Sequence, residues 1–309
     1  MTDVINKINS RALALRDVHR NHGNFLSGFA SLDSLSKAAP FYGFVNVTID
    51  GCVPFTMFSN NDDFVARSIF WYGSNSYEPM SLKIWLSLAK NSKVIFDIGS
   101  YTGIYSLAAA GQNSKCKIHG FEALDSIYFR LLVNKLANSF GNIEVHNLAI
   151  SENDLGADFN VFAGDAILSS GSSIMEKDGG RPIHRTKKVP SSSIDILVNK
   201  MNLKFLDLIK IDAEGAEHLI FKGGEKVLAN FKPDIICEFL QGARTEEIEP
   251  ILERLGYNYF HIHEKSMTIE PVKSIVFGKD MDSLNTLITQ KSANQIEEIL
   301  AMHDLNAQG

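Results

Sequence analysis

Residues 94–103 read Val94-Ile95-Phe96-Asp97-Ile98-Gly99-Ser100-Tyr101-Thr102-Gly103, and this stretch decides the fold. Val94-Ile95-Phe96 is a short apolar run with β-branched residues, the pattern of a buried strand. Gly99 to Gly103 reads as a loop, and Ile104 to Ala110, rich in small residues, as a helix. A strand, a glycine turn and a helix open an α/β sheet. In such sheets ligands bind beyond the carboxyl ends of the strands, where strand order reverses. Gly99 lets the backbone turn sharply and a ligand come close, and Gly103 lets the helix start against the sheet.

Working outward, the same rhythm continues. Lys117 to Phe121 is a second strand, and Asp125 can cap a helix whose apolar face is Phe129, Leu132, Val133 and Leu136. Ile143 to Ala149 is a third strand, Leu206 to Ile211 a fourth and Ile235 to Phe239 a fifth, after Pro233. A helix from about Gly215 to Lys222 stops at Gly223-Gly224. Two more strands are expected at Tyr257 to His263 and Asn285 to Thr289. Alternation with short links predicts a Rossmann-like, mostly parallel, seven-stranded sheet with helices on both faces. Upstream, residues 1 to about 40 form a loose helical stripe, Gly43 to Phe58 a hairpin turning at Asp50-Gly51, and Pro79 to Ala89 a helix. The expected division is an N-terminal extension over 1–90 and the main domain over 91–309.

Residues 151–192 break the pattern. They are long and rich in glycine and serine, and they carry the basic run Arg181-Pro182-Ile183-His184-Arg185-Thr186-Lys187-Lys188. Long irregular insertions are usually functional loops, so a loop over the active site is expected, with affinity for an anionic group. A solvated surface excursion is the alternative.

Composition sets outer limits. Of 309 residues, 45% are hydrophobic and 21% charged, the profile of an ordinary globular chain. A net charge of -6 argues against a general nucleic-acid binder. No apolar run spans a bilayer and no secretory signal is expected at the N-terminus. Cys52, Cys116 and Cys237 are too sparse for a disulfide framework or a zinc site, which points to a reducing, cytoplasmic setting.

The turn also discriminates between ligands. A dinucleotide fingerprint has glycine where this chain has Asp97, and a carboxylate there would repel a pyrophosphate. It suits the charged amino group of a methionine moiety. Glu122, ending the second strand, can accept hydrogen bonds from ribose hydroxyls. Asn147 and Leu148, after the third strand, lie where an adenine could be edged. The candidate cofactor set is Asp97, Gly99, Ser100, Thr102, Gly103, Glu122, Asn147, Leu148 and Asp212. The competing reading has Asp97 capping the helix and Glu122 as a solvated strand end.

Three blocks resemble the FkbM family of methyltransferases: Phe96 to Gly103 with Ser106, then Phe121-Glu122-Ala123, then Ile211-Asp212-Ala213-Glu214-Gly215-Ala216-Glu217 with Gly223 and Lys232 to Glu238. Val189-Pro190 ahead of Ser193-Ile194-Asp195 is similar to the family's link into the fourth strand. The chain departs from the family's pattern at Ser100-Tyr101 and lacks proline after Glu122. The resemblance implies a class I methyltransferase fold, S-adenosylmethionine as cofactor and methylation of a hydroxyl on a sugar, glycan or secondary metabolite.

Such a reaction needs alignment of oxygen, methyl carbon and sulfur, and it gains from a general base. Asp212 and Glu214, at the fourth strand's end, are candidate bases, with His184 of the basic run as another; both acids could instead serve the helix N-terminus. Glu217 is expected to face solvent, and Glu238 is a weaker candidate on the same rim. His218, His261 and His263 are expected at the surface, and no metal is called for. A small-molecule or glycan acceptor, no nucleic acid and a possible oligomer complete the expectation. A nucleotide-dependent oxidoreductase and a non-catalytic scaffold on the same sheet are the competing functions.

Overall fold

A computed structural model describes residues 2–21, 29–162, 168, 173–174, 183–277 and 282–307. The upstream part comprises α1 (Thr2–Asn21), α2 (Phe29–Ala38), the hairpin β1 (Tyr42–Val47) and β2 (Phe55–Asn60), α3 (Phe64–Tyr72) and α4 (Pro79–Ala89). Then come β3 (Val94–Ile98), α5 (Ile104–Gln112), β4 (Lys117–Glu122), α6 (Asp125–Asn138) and β5 (Ile143–Asn147). An insertion holds β6 (Ala149–Ile150), β7 (Ala157–Phe162), β8 (Ile183–Val189) and β9 (Ser191–Ser192). The chain continues through α7 (Ile194–Lys200), β10 (Leu208–Ile211), α8 (Glu217–Lys222), α9 (Glu225–Phe231) and β11 (Asp234–Glu238). It ends with α10 (Thr245–Arg254), β12 (Asn258–His263), β13 (Thr268–Val272), β14 (Asn285–Thr289) and α11 (Ala293–Ala307).

The main sheet runs β13-β12-β14-β11-β10-β3-β4-β5. β5, β4, β3, β10 and β11 are parallel, and β14 pairs antiparallel with both β11 and β12. From β3 the chain steps outward to β4 and β5, then returns to β10 on β3's other side and steps the opposite way to β11. Strand order therefore reverses between β3 and β10, the place where a crevice opens in such sheets.

The sheet has eight strands rather than seven. The added one, β13, contains Pro271 and pairs only with β12. Proline cannot donate to a ladder and is tolerated at an edge, so the segment carries no ordinary strand signature. The described parts of 151–192 are also more regular than expected. β7 and β8 pair as an antiparallel arm and β6 pairs with β9. Partners more than twenty residues apart leave no local pattern for a sequence reading to find.

One core unites the upstream helices with one face of the sheet: Trp71 and Trp85 pack with Ile95, Leu107 and Ile118. The other face packs Phe96, Ile209 and Ile235 against Ile194, Ile220 and Ile248. α4 is buried nearly all round, and a buried helix end needs its N–H groups satisfied. Glu264, beyond β12, does this: its carboxylate accepts from Met80 N (2.8 Å), Ser81 N (3.3 Å) and the Ser81 hydroxyl.

α6 is rotated from the expected face. It buries Ile127, Leu131 and Asn134, while Phe129, Val133 and Leu136 point outward. Asn134 explains this: its amide accepts from Phe58 N (2.7 Å) and donates to Thr102 O (2.8 Å), so a polar residue anchors the inner face. Its N-cap is Leu124, and exposed Asp125 instead pairs with Lys187. Among the described residues no helix is long and apolar enough to cross a membrane.

Candidate functional site

A cavity of about 170 Å³ opens at the carboxyl ends of β3, β4, β10 and β11. Its position follows from the order reversal, and its shape follows from three backbone strains. Glu78, Tyr101 and Glu214 line it and each has positive φ, at 41°, 48° and 52°. Non-glycine residues rarely accept that region, and they do so where surrounding structure over-determines them. Glu78 is the residue before Pro79, which favours extended backbone and makes the conformation costlier still.

Of the nine expected cofactor residues, Gly99, Glu122, Leu148 and Asp212 line the cavity. The other five stand behind it. Asp97 is buried, and its carboxylate accepts from the Ser106 hydroxyl at 2.6 Å. The Ser100 hydroxyl donates to Asp97 O at 2.6 Å, holding the turn onto its strand. Thr102 is buried and offers its carbonyl to Asn134. Gly103 has φ +100 as N-cap of α5, and a β-carbon there would meet Leu131 at 2.4 Å. Asn147 donates to the carbonyls of Glu122 and Ala123, both at 3.0 Å, fixing the end of β4.

Of the three expected catalytic residues, Asp212 and Glu214 line the cavity. His184 sits exposed on β8 and contributes nothing to the cavity lining. In the basic run, Arg181 and Pro182 lie outside the described residues, Arg185 is exposed and Lys187 pairs with Asp125.

Two expectations about nearby residues are corrected. Glu217 is buried, its Oε1 accepting from Gly215 N at 2.9 Å, because the strap after β10 folds back over its side chain. His218 and His261 are buried too: α8 packs against α10, and β12 lies between β13 and β14.

The electrostatics are those of a negative floor around one buried cation. Glu78, Asp212 and Glu238 reach the cavity from the turn before α4 and from the ends of β10 and β11. Lys210 is buried beneath them and donates to Asn285 Oδ1 at 3.1 Å. Burial alone would lower its pKa, but the charges of Asp212, Glu78 and Glu238 outweigh burial and hold it above its ordinary value. Glu238 is held well above the usual carboxylate range, first by desolvation and then by the charge of Asp212 and a hydrogen bond with it. A second carboxyl this close disfavours ionisation of Glu238. Burial also pushes Glu122 up to about 7, against backbone N–H groups of Leu124, Tyr101 and Ala123 that favour its ionised form. Asp97 is pushed up to about 6 by burial, opposed by the Ser106 hydroxyl and by Lys210.

The sequence reading missed Glu78, Tyr77, Phe64 and Val65, which the upstream part contributes to the lining, and Phe159 and Ile174 from the insertion. The insertion also touches the site through Tyr101, whose hydroxyl donates to Leu168 O at 3.3 Å, and through Ser173, whose hydroxyl donates to Ala213 O at 3.1 Å. Glu78-Pro79 was the one available signal: an acid immediately before a helix-starting proline.

An open, mostly parallel α/β sheet with an acid-lined cavity at its switch point is a Rossmann-like arrangement, and ligands bind in such sheets at that crevice. A family model described as the methyltransferase FkbM domain matches residues 97–259, more than half of the chain. The chain therefore belongs to the FkbM methyltransferase family. No curated protein matches it. Among solved structures it is similar to methyltransferase FkbM from Methylobacillus flagellatus KT, at 16% identity and TM-score 0.43, over 64% of this chain and 43% of that one. A SAM-dependent O-methyltransferase from Thermotoga maritima is 11% identical with TM-score 0.37, over 69% of this chain and 64% of that one. TYW2 of M. jannaschii, solved in complex with AdoMet, is 11% identical with TM-score 0.39, over 80% and 84%. This chain spans less than half the length of the Methylobacillus structure.

Proposed function

We propose that this cavity binds S-adenosylmethionine and that the chain transfers the methyl group to a hydroxyl of a sugar, glycan or secondary metabolite. The observation that carries the reading is that, among the described residues, the carboxyls Glu78 and Asp212 outnumber the cation Lys210 at the cavity floor. Such a floor favours a ligand with cationic groups and disfavours a pyrophosphate. Glu122, at the end of β4, is placed for ribose hydroxyls, and Leu148 and Ile127 offer apolar surface for an adenine. Gly99 keeps the cradle open, because any β-carbon there would strike the Asp212 carbonyl. Asp97 then acts from behind, by holding α5 through Ser106.

When bound, S-adenosylmethionine supplies an electrophilic methyl group on a sulfonium. The chain's own work is to position the acceptor and take its proton. Asp212, at the end of β10 beside the cavity, serves as the proton acceptor, and Glu238, held well above the usual carboxylate range by burial and by the charge of Asp212, hydrogen-bonds to it. Glu214, held at positive φ on the same rim, orients the acceptor. In this reading residues 91–309 form the methyltransferase domain, the β7–β8 arm roofs the acceptor side through Phe159 and Ile174, and residues 1–90 complete the wall through Phe64 and Glu78.

Calorimetric titration with S-adenosylmethionine, its demethylated product and NAD tests the cofactor. Saturable heat with the first two and none with NAD is expected; the reverse would replace this reading with an oxidoreductase. Transfer of labelled methyl to a panel of hydroxylated sugars and polyketides tests the acceptor, and label appearing only on amines or nucleic acid would reject the hydroxyl class.

A further inference from the structure

We propose that His119, Glu144 and His146 form a binding site for a divalent transition-metal ion of the zinc class at the β5 edge of the sheet. Register brings the three together. His119 on β4 is the direct partner of Glu144 on β5, and His146 lies two residues further along β5, on the same face. His119 Nδ1 stands 3.0 Å from His146 Nε2 and 3.6 Å from Glu144 Oε2, and the three donor atoms lie within 4.8 Å of one another. Zinc bonds of about 2.0–2.1 Å at tetrahedral angles place donor atoms about 3.3 Å apart, and the two separations from His119 Nδ1, 3.0 and 3.6 Å, bracket that value.

The site is built on rigid parts. His119 is fully buried, flanked by Phe96 at 5.5 Å and by His146 at 5.3 Å between ring centroids. Phe121 stacks on His146 at 4.8 Å. His119 Nε2 has no hydrogen-bond partner among the described residues, so Nδ1, which faces the other two donors, is that ring's engaged nitrogen. Glu144 divides its carboxylate: Oε1 is 3.2 Å from Lys117 Nζ, while Oε2 turns toward the histidines. Lys117 thus orients the carboxylate of Glu144 by holding its other oxygen, without occupying the metal position. Glu144 is exposed and His146 half-buried, which gives an ion a way in and leaves room for water as a fourth ligand. Two imidazoles and one carboxylate make a donor set that zinc, cobalt and iron accept and that magnesium does not favour.

The site is separate from the cavity yet mechanically joined to it. The same two strands end in Glu122 and Asn147, which are register partners. An ion tying β5 to β4 stiffens the edge that holds Glu122.

The test uses the full chain, freed of metal with chelator and titrated with zinc, and separately with cobalt for its visible absorption. Wild type should gain several degrees in unfolding temperature with zinc and develop cobalt bands. Glu144→Gln and His146→Gln, both at positions with access to solvent, should fold with the wild-type circular dichroism spectrum and bind about 100-fold more weakly. X-ray absorption should show two imidazole ligands. No zinc shift in wild type, or an equal shift in both variants, would overturn the proposal.

Discussion

Gly99 lies so close beneath the Asp212 carbonyl that a β-carbon on residue 99 would meet that oxygen at 1.8 Å. The glycine turn after β3 and the acidic strap after β10 are thus built against one another, and neither is a free loop.

Gly99→Ala is accordingly expected to force the two segments apart. Positive φ alone costs a side chain about 1–2 kcal/mol, and the backbone collision adds to it. The variant should unfold at a lower temperature and lose cofactor affinity by at least about tenfold. Calorimetry of a variant that still folds is the check, and wild-type affinity would show that the two segments can separate freely.

The negative floor predicts discrimination by charge. Glu78→Gln and Asp212→Asn should weaken S-adenosylmethionine, which carries a sulfonium, more than its neutral-sulfur product. The difference expected is about 1–3 kcal/mol, as for loss of one partly desolvated charge contact. Paired titrations with both ligands measure it. Equal losses would mean that the acids contact only the parts that the ligands share.

Glu264 caps α4 from nearly two hundred residues away, through Met80 N, Ser81 N and the Ser81 hydroxyl. Glu264→Ala should cost about 1–2 kcal/mol in urea unfolding, the usual value of a lost N-cap. Because α4 carries Glu78 into the cavity, cofactor affinity should fall as well. A loss of stability with unchanged binding would separate the helix from the site.

Glu217 predicts a dependence on pH. Its carboxyl is buried, which pushes it up to about 7, against backbone N–H donors that favour ionisation. The folded state therefore holds this proton more tightly than the unfolded chain, so its contribution is full below the ordinary glutamate value of 4.5 and is lost as pH rises through about 7. Relative to wild type, Glu217→Gln should gain about 1–3 kcal/mol between about pH 5 and pH 8. Urea unfolding of both proteins at the two pH values decides; parallel stability curves would place an ordinary carboxyl there.

The sequence by itself determined the elements whose cause is local. Val94 to Gly103 gave the strand, turn and helix because apolar runs and positive-φ glycines act over a few residues. The α4 boundaries at Pro79 and Ala89 followed from proline and apolar periodicity in the same way. Gly99, Glu122 and Asp212 could be named as site candidates because strand ends face the crevice in any such sheet. Only the tertiary structure decided what depends on distant partners. It turned α6 by giving Asn134 the backbone of β2 and turned Asp97 inward by giving it Ser106. It brought Glu78 and Glu238 to Asp212 from 134 and 26 residues away, and His119 to His146 across two strands. Hydrogen bonds and desolvation act between neighbours in space, and only the closed sheet makes these residues neighbours.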